Sequence, residues 1–253
     1  MFHKIRTYKK IIFSVIAGCI LVLGGTILTG SGMFGSKAAY RVNAYLDDLS
    51  RSPDTPPYLS LHYRLRCLRF ALEPHQTQPI VFLGDSMTDN GHWKQLFPNE
   101  TVINMGIGGD TTLGILHRLD QVVARKPSKI FLMVGTNDLC YNRTIADTLT
   151  NYDQILSRLQ ASLPKTQIYV ESVLPFNDHI FPSQCLRTNS NIAALNEGIE
   201  ALAKAHGLPY LDITDDFTNP NGRLDASLTV DGLHLNPAGY EIWHDNIYEQ
   251  VKS

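Results

Sequence analysis

Cysteine is scarce in this 253-residue chain: there are four, at positions 19, 67, 140 and 185, and no C-x-x-C spacing links them. That argues against a zinc ribbon or a small disulfide scaffold. An excess of either charge is missing too. Lys and Arg number 22 against 24 Asp and Glu, so no overall basic field exists to hold nucleic acid. No internal repeat is apparent, no H-E-x-x-H marks a catalytic metal, and neither G-x-G-x-x-G nor a following Gly-Lys-Ser/Thr is present to cradle a nucleotide. The sequence therefore calls for no metal and no cofactor. Apolar residues make up 43 %, with 18 Gly and 13 Pro, which excludes a mainly disordered, collagen-like or low-complexity protein. The length allows one large domain or two small ones.

The amino terminus reads as an anchor. Residues 2–10 carry Lys4, Arg6, Lys9 and Lys10 and no acid; Ile11 to Leu28 then runs without a charge, and the next charged residue is Lys37. A helix over that run reaches roughly 27 Å, about the thickness of a bilayer's hydrocarbon core. An uncleaved anchor ranks first, a signal cleaved near Ser36-Lys37-Ala38 second, and a lipoprotein with the box Ile16-Ala17-Gly18-Cys19 third. In each case the four cations ahead of the span put the remainder outside the cytoplasm. The chain then divides into a cationic cytoplasmic leader (1–10), a transmembrane or signal-anchor segment (11–30), a stem (31–57) and a domain (58–253). In an oxidising compartment Cys140 and Cys185, both in predicted loops after neighbouring strands, are placed to pair; Cys67 on a helix reads as a small core hydrophobe.

Tyr58, Leu61, Leu65, Leu68 and Leu72 recur at spacings of three and four, an amphipathic helix. Its other face, with Arg64, Arg66 and Arg69, reads as solvated, or as a basic face for anionic lipid. From residue 79 short apolar runs alternate with helical patterns. The runs are Ile80–Leu83, Thr101–Asn104, Lys129–Val134, Gln167–Val173 and Pro209–Ile213. Between them lie the periodicities Leu116/Leu119/Val123, Leu149/Tyr152/Leu156/Leu159/Leu163 and Ile192/Leu195/Ile199/Leu202, and a last helix opens at Asn236-Pro237. Such alternation predicts one three-layer α/β domain, its parallel sheet covered on both faces.

In open α/β sheets, sites form outside the carboxyl ends of the strands. The first run is followed by Gly84-Asp85-Ser86, the second by Gly106-Ile107-Gly108-Gly109-Asp110, the third by Gly135-Thr136-Asn137-Asp138; near the carboxyl end sits Asp231-Gly232-Leu233-His234. Acyl transfer uses each type. A serine hydroxyl is a poor nucleophile until an imidazole removes its proton, and the imidazole needs a carboxylate on its other nitrogen. Glycine lets a backbone N–H approach an oxyanion closely, and an asparagine amide adds a second donor. Singly, each block has a plainer reading: Ser86 as a helix cap, Gly108-Gly109-Asp110 as a turn, Asn137-Asp138 as a cap. Jointly, at successive strand ends, they point to chemistry. D-x-x-H occurs twice, but Asp89/His92 sits on the segment of Ser86 and cannot easily swing back over it, whereas His234 arrives from a separate loop.

The four blocks resemble those of the SGNH (GDSL-type) esterase superfamily, and Asn104 to Leu119 is especially similar to platelet-activating-factor acetylhydrolase α-subunits and their bacterial relatives. The likeness covers about residues 58–250. It implies Ser86 as nucleophile, the N–H groups of Ser86 and Gly109 with the Asn137 side chain as oxyanion donors, and Asp231/His234 as the remaining dyad. It also implies a flavodoxin-like five-stranded sheet of order 2-1-3-4-5. Met87 stands where Leu or Ile is usual, and the membrane segment is absent from the intracellular subunits.

The function expected is a serine esterase acting on short-chain acyl esters, acetyl for example, of carbohydrate or lipid. An O-acyltransferase using the same site, or a lysophospholipase, are the alternatives; a phosphate- or nucleotide-binding module is the non-enzymatic one. Dependence on a neutral imidazole predicts activity rising between about pH 6 and 8. Loops 139–148 and 174–190 are the expected pocket walls. Asp85, Tyr141, Phe176 and Arg187 are the substrate-binding candidates, with His179 and Phe181 nearby, although Phe176 and Phe181 also suit a core. Partners are an ester substrate and the membrane; oligomeric state is left open.

Overall fold

The structure, a computed structural model, describes residues 57–252 except His75 and Gln184. The expected leader, membrane span and nearly all of the stem, with Cys19, lie outside the described residues. Among the described ones, no helix is long and apolar enough to cross a membrane.

The five apolar runs form strands β1 (Ile80–Gly84), β2 (Val102–Gly106), β3 (Lys129–Met133), β4 (Gln167–Glu171) and β5 (Tyr210–Leu211). They pair in parallel in the order β2-β1-β3-β4-β5, the order the resemblance implied. Side chains alternate across a pleated strand, and β1 is buried at every position. Val81 and Leu83 join one cluster, Ile80 and Phe82 a second on the opposite face. Edge strand β5 is only two residues long, shorter than Pro209–Ile213; a short edge strand limits unpaired backbone.

The helices are α1 (Leu61–Leu72), α2 (Ser86–Asp89), α3 (Trp93–Leu96), α4 (Thr112–Ala124), α5 (Thr136–Cys140), α6 (Ile145–Ser162), α7 (Asn189–Ala205) and α8 (Pro237–Val251). The long ones start where a side-chain oxygen meets an otherwise orphan N–H: Thr111 caps α4, Thr144 α6, Thr188 α7 and Asn236 α8, with Pro237 in its first turn. One sheet face is covered by α1, α4, α6 and α7 through Phe70, Leu119, Tyr152 and Leu195. The other is covered by α3 and α8 through Trp93, Trp243 and Ile247. There Phe82 stacks on Trp93 at 4.0 Å between centroids and Trp243 meets Trp93 edge-on at 5.0 Å, pairs worth about 0.5–1.5 kcal/mol beyond area burial.

Helix α1 forms as expected, but with its faces reversed. Leu61, Leu65, Leu68 and Leu72 are 58, 52, 55 and 75 % exposed, while Tyr63 and Phe70 are buried. The aromatic pair bury more area than leucines, and the polar groups beside them find partners. Tyr63 donates its hydroxyl to Gly114 O at 2.6 Å. The Arg66 and Arg118 guanidinium groups lie over the Phe70 ring. Arg66, expected on a solvated face, is turned inward onto Asp89 at 2.6 Å and Gly106 O at 2.8 Å.

The register aligns Gly84 of β1 with Gly106 of β2 and Met133 of β3. Three strands therefore end level, and the segments that follow them start side by side.

Candidate active site

At Gly84, the last residue of β1, there is no room for a side chain: a Cβ would clash with Thr88 Oγ1 and Met133 O. The chain turns at once into α2. Asp85 caps it by accepting the Met87 N–H at 2.9 Å, and Ser86 is its first residue, partly exposed. Two side chains pin this turn from outside. The Asn104 amide donates to the carbonyls of Thr88, Asp89 and Gly91 at 2.8, 3.0 and 3.1 Å, and the Tyr240 hydroxyl donates to Met87 O at 2.7 Å.

The Asp231–His234 turn comes from the far end of the chain. Asp231 Oδ1 accepts the N–H groups of Leu233 and His234 at 2.9 and 2.8 Å, and its Oδ2 lies 2.8 Å from His234 Nδ1. A carboxylate there requires the ring proton on Nδ1, which leaves Nε2 as an acceptor. Nε2 lies 3.0 Å from Ser86 Oγ. Partial burial pushes the Asp231 carboxyl up, but the His234 hydrogen bond, the imidazole charge and the two backbone donors outweigh it and hold it well below the usual carboxylate range. Gly232 has φ +92°, and a Cβ on it would come within 2.9 Å of Ile180 Cβ and of Phe181 N. The loop after β4 packs directly against the turn, the Asn177 N–H donating to Gly232 O at 2.6 Å.

Two neighbouring segments supply further hydrogen-bond donors. Residues 107–110 form a tight turn closed by the Asp110 N–H on Ile107 O at 3.0 Å, with Gly109 at φ +76°. The N–H groups of Ser86 and Gly109 have no hydrogen-bond partner among the described residues. Asn137 Nδ2 donates to Asp110 O at 3.0 Å, and an amide nitrogen carries a second hydrogen for a ligand.

Residues beneath this surface, which sequence reasoning missed, fix its geometry. Buried Asp110 pairs with buried Arg118 at 2.8 Å, and Arg118 Nη2 also donates to Gly84 O at 3.0 Å, tying the glycine turn to β1. Gly114 permits the approach, since a Cβ there would lie 1.8 Å from Asp110 Oδ1. Asp138 accepts the Thr112 N–H and hydroxyl at 2.9 and 2.6 Å, locking the start of α5 to the start of α4. Burial pushes the Asp110 carboxyl up to about 6 against the pull of Arg118. It pushes Asp85 up to about 7, the Met87 N–H and the His234 charge opposing it. The one local signal for this layer was Gly114, a glycine inside a helical pattern.

The structure thus brings Ser86, Gly109, Asn137, Asp231 and His234 together. It does not treat the substrate-binding candidates alike. Asp85 is 1 % exposed and its carboxylate is occupied as a helix cap, so it faces the fold rather than a ligand. Phe176 is a core residue, 1 % exposed. Arg187 is buried against Phe176, Phe181 and Cys140, with Nε and Nη1 unpartnered. Tyr141 stays at the exposed rim, as does His179. Cys140 and Cys185 do meet, but as thiols rather than a disulfide. Partial burial pushes the Cys185 thiol up, while hydrogen bonds with Ser183, the Arg187 N–H and Cys140 draw it below its ordinary value. Among the described residues no group of three or more His, Cys, Asp or Glu is placed to hold a metal ion.

Comparison with known proteins places this geometry in context. The family model described as GDSL-like lipase/acylhydrolase matches residues 82–242. Platelet-activating factor acetylhydrolase IB subunit alpha2 of Rattus norvegicus is 30 % identical over 179 residues, 68 % of this chain and 76 % of that protein. Among solved structures, a GDSL-like lipase from Bacteroides thetaiotaomicron aligns with TM-score 0.65 and 25 % identity over 75 % of this chain and 96 % of its own. An acetyl xylan esterase, AlAXEase, aligns with TM-score 0.59 and 20 % identity over 69 % of this chain and 100 % of its own, a likeness of fold.

Proposed function

Since the chain belongs to the GDSL-like lipase/acylhydrolase family and is an ester hydrolase, we propose that it cleaves short-chain acyl esters of carbohydrate or lipid through an acyl-enzyme on Ser86. The observation that carries this reading is the relay in which His234 lies 3.0 Å from the Ser86 hydroxyl and 2.8 Å from the Asp231 carboxylate.

In that reading Ser86 Oγ attacks the ester carbonyl as its proton passes to His234 Nε2, and Asp231 stabilises the resulting imidazolium. The oxyanion is met by the N–H groups of Ser86 and Gly109 and by Asn137 Nδ2, donors already in position before charge develops. The imidazolium protonates the departing alcohol. Water, deprotonated by His234, then releases the acid and restores the serine. The name of a similar protein, an acetylhydrolase, supports acetyl. Tyr141 at the rim and Arg187 behind it are the side chains we assign to the alcohol portion of the substrate.

The cationic leader and uncharged run at the amino terminus support anchoring in a membrane, with the hydrolase domain outside the cytoplasm. Carbonate extraction and protease protection in intact cells test that placement. For the chemistry, purified protein should hydrolyse p-nitrophenyl acetate faster than longer acyl homologues, and Ser86→Ala should abolish turnover. Undiminished activity in that variant refutes the assignment. Product analysis with an added sugar acceptor separates hydrolase from O-acyltransferase.

A further inference from the structure

Helix α1 is apolar on two opposite faces, and only one of them meets other described residues. Successive residues of an α-helix turn by roughly 100°, so Leu61, Leu65, Leu68 and Leu72 fall within a stripe roughly 60° wide. Tyr63 and Phe70, which enter the core, lie on the far side. All four leucines are exposed, as is Leu59 in the turn ahead of the helix. A contiguous apolar stripe on a soluble surface marks an interaction site.

The charges around it indicate which partner. The helix carries Arg64, Arg66 and Arg69 and no acidic residue. Arg66 is used internally on Asp89. Arg64 and Arg69 are exposed and flank the leucine stripe on its two sides, Arg69 reaching Glu73 at 3.5 Å. Leucines bordered by arginines are the pattern of a helix lying in the plane of a membrane surface, apolar side in the acyl boundary and cations among anionic headgroups.

The position of the helix in the chain supplies the second argument. The chain outside the described residues ends at residue 56, directly ahead of the turn that opens α1, and its sequence holds the uncharged run Ile11–Leu28. A domain tethered at that point has α1 as its first element. The tethered end of α1 also lies at the catalytic edge of the sheet. Tyr63 is bonded to Gly114 O at the start of α4, and the His62 ring lies close to Gly108 of the glycine turn.

We propose that α1 is a membrane-contact helix whose leucine stripe rests in an anionic lipid surface and holds the catalytic edge of the domain beside it. The proposal is independent of which ester is cleaved, and it differs from anchoring by residues 11–28, which alone would leave the leucines in water.

The test uses the full-length protein in vesicles of phosphatidylcholine and phosphatidylglycerol, with Leu68→Trp as reporter and bromine on the acyl chains as quencher. Trp93 and Trp243 are fully buried and contribute a constant background. We expect the new tryptophan to shift to the blue and lose most of its emission to brominated lipid. Quenching should weaken when phosphatidylglycerol is omitted. Glu249→Trp, exposed on α8 in the opposite layer, should keep its emission. Three results would overturn the proposal: an unquenched, water-exposed reporter in Leu68→Trp protein that stays on the vesicles; a blue shift without lipid quenching, meaning protein covers the stripe; or protein that does not stay with vesicles at all. The first two leave the anchor standing and the third removes it, and p-nitrophenyl acetate turnover reports on the hydrolase separately.

Discussion

Asp89-Asn90-Gly91-His92 and Asp231-Gly232-Leu233-His234 share one spacing, and the fold gives them opposite tasks. In the first, Gly91 packs so tightly on Trp93 that a Cβ would lie 2.4 Å from the indole. Trp93 enters the core and donates to Thr88 O at 2.9 Å, which turns His92 outward. Asp89 is taken by Arg66 at 2.6 Å and by the Gly108 N–H at 3.2 Å. In the second, Gly232 at φ +92° folds the turn back on itself, so the carboxylate meets both its own turn and the ring. Spacing permits an acid–imidazole pair; what flanks the turn decides whether one forms. Asp89 braces the Gly108 turn, whereas Asp231 holds the ring that reaches Ser86.

That contrast is sharpened by mutation, beginning with the largest effect. Removing the ring in His234→Ala should lower kcat for an acetyl ester by roughly 10⁴- to 10⁶-fold. Asp231→Asn should lower it by about 10⁴-fold while leaving KM nearly unchanged, because the ring loses its tautomer control. The same variant carries a pH signature. The Asp231 carboxyl is held below its ordinary range in the fold, so its ionised form adds stability that is full above about pH 4 and fades as the pH falls further. Asp231→Asn should therefore melt below wild type at pH 7, and the gap should narrow in acid. Equal Tm differences at both ends would break the account of this turn.

Gly232→Ala forces a side chain against Ile180 and Phe181 and strains a positive φ; displacing the ring by a fraction of an ångström should reduce kcat about 10- to 100-fold. Asp89→Asn should act mainly on stability, lowering it by about 1–3 kcal/mol as Arg66 loses a charged partner, with a few-fold loss of activity through the Gly108 turn. His92→Ala should leave kcat/KM and Tm within error. A large activity loss in His92→Ala would mean that the two copies had been assigned the wrong way round.

What could be read from sequence is what is local. Each strand and its following block is a contiguous run, and Asn236-Pro237 announces the last helix through a cap only a few residues long. The pairing of His234 with Ser86 spans 148 positions; it could be argued only because several blocks meet at strand ends and match one family. Asp110 and Arg118 lie eight apart, yet their importance depends on burial that no periodicity reports. The same lack of long-range information reversed α1. Leucine spacing gives one apolar stripe, but the fold chose Tyr63 and Phe70, whose partners Gly114 and Arg118 come from later segments. Phe176, a core residue, was read as pocket wall for a similar reason: position in a loop after a strand does not say which side of the loop faces solvent.

The most direct test of the central claim is labelling with a fluorophosphonate probe followed by peptide mapping, in wild type, His234→Ala and His92→Ala side by side. The account predicts one modified peptide containing Ser86 in wild type and in His92→Ala, and almost none in His234→Ala. Modification at another residue, or undiminished labelling of Ser86 without the His234 ring, would contradict it.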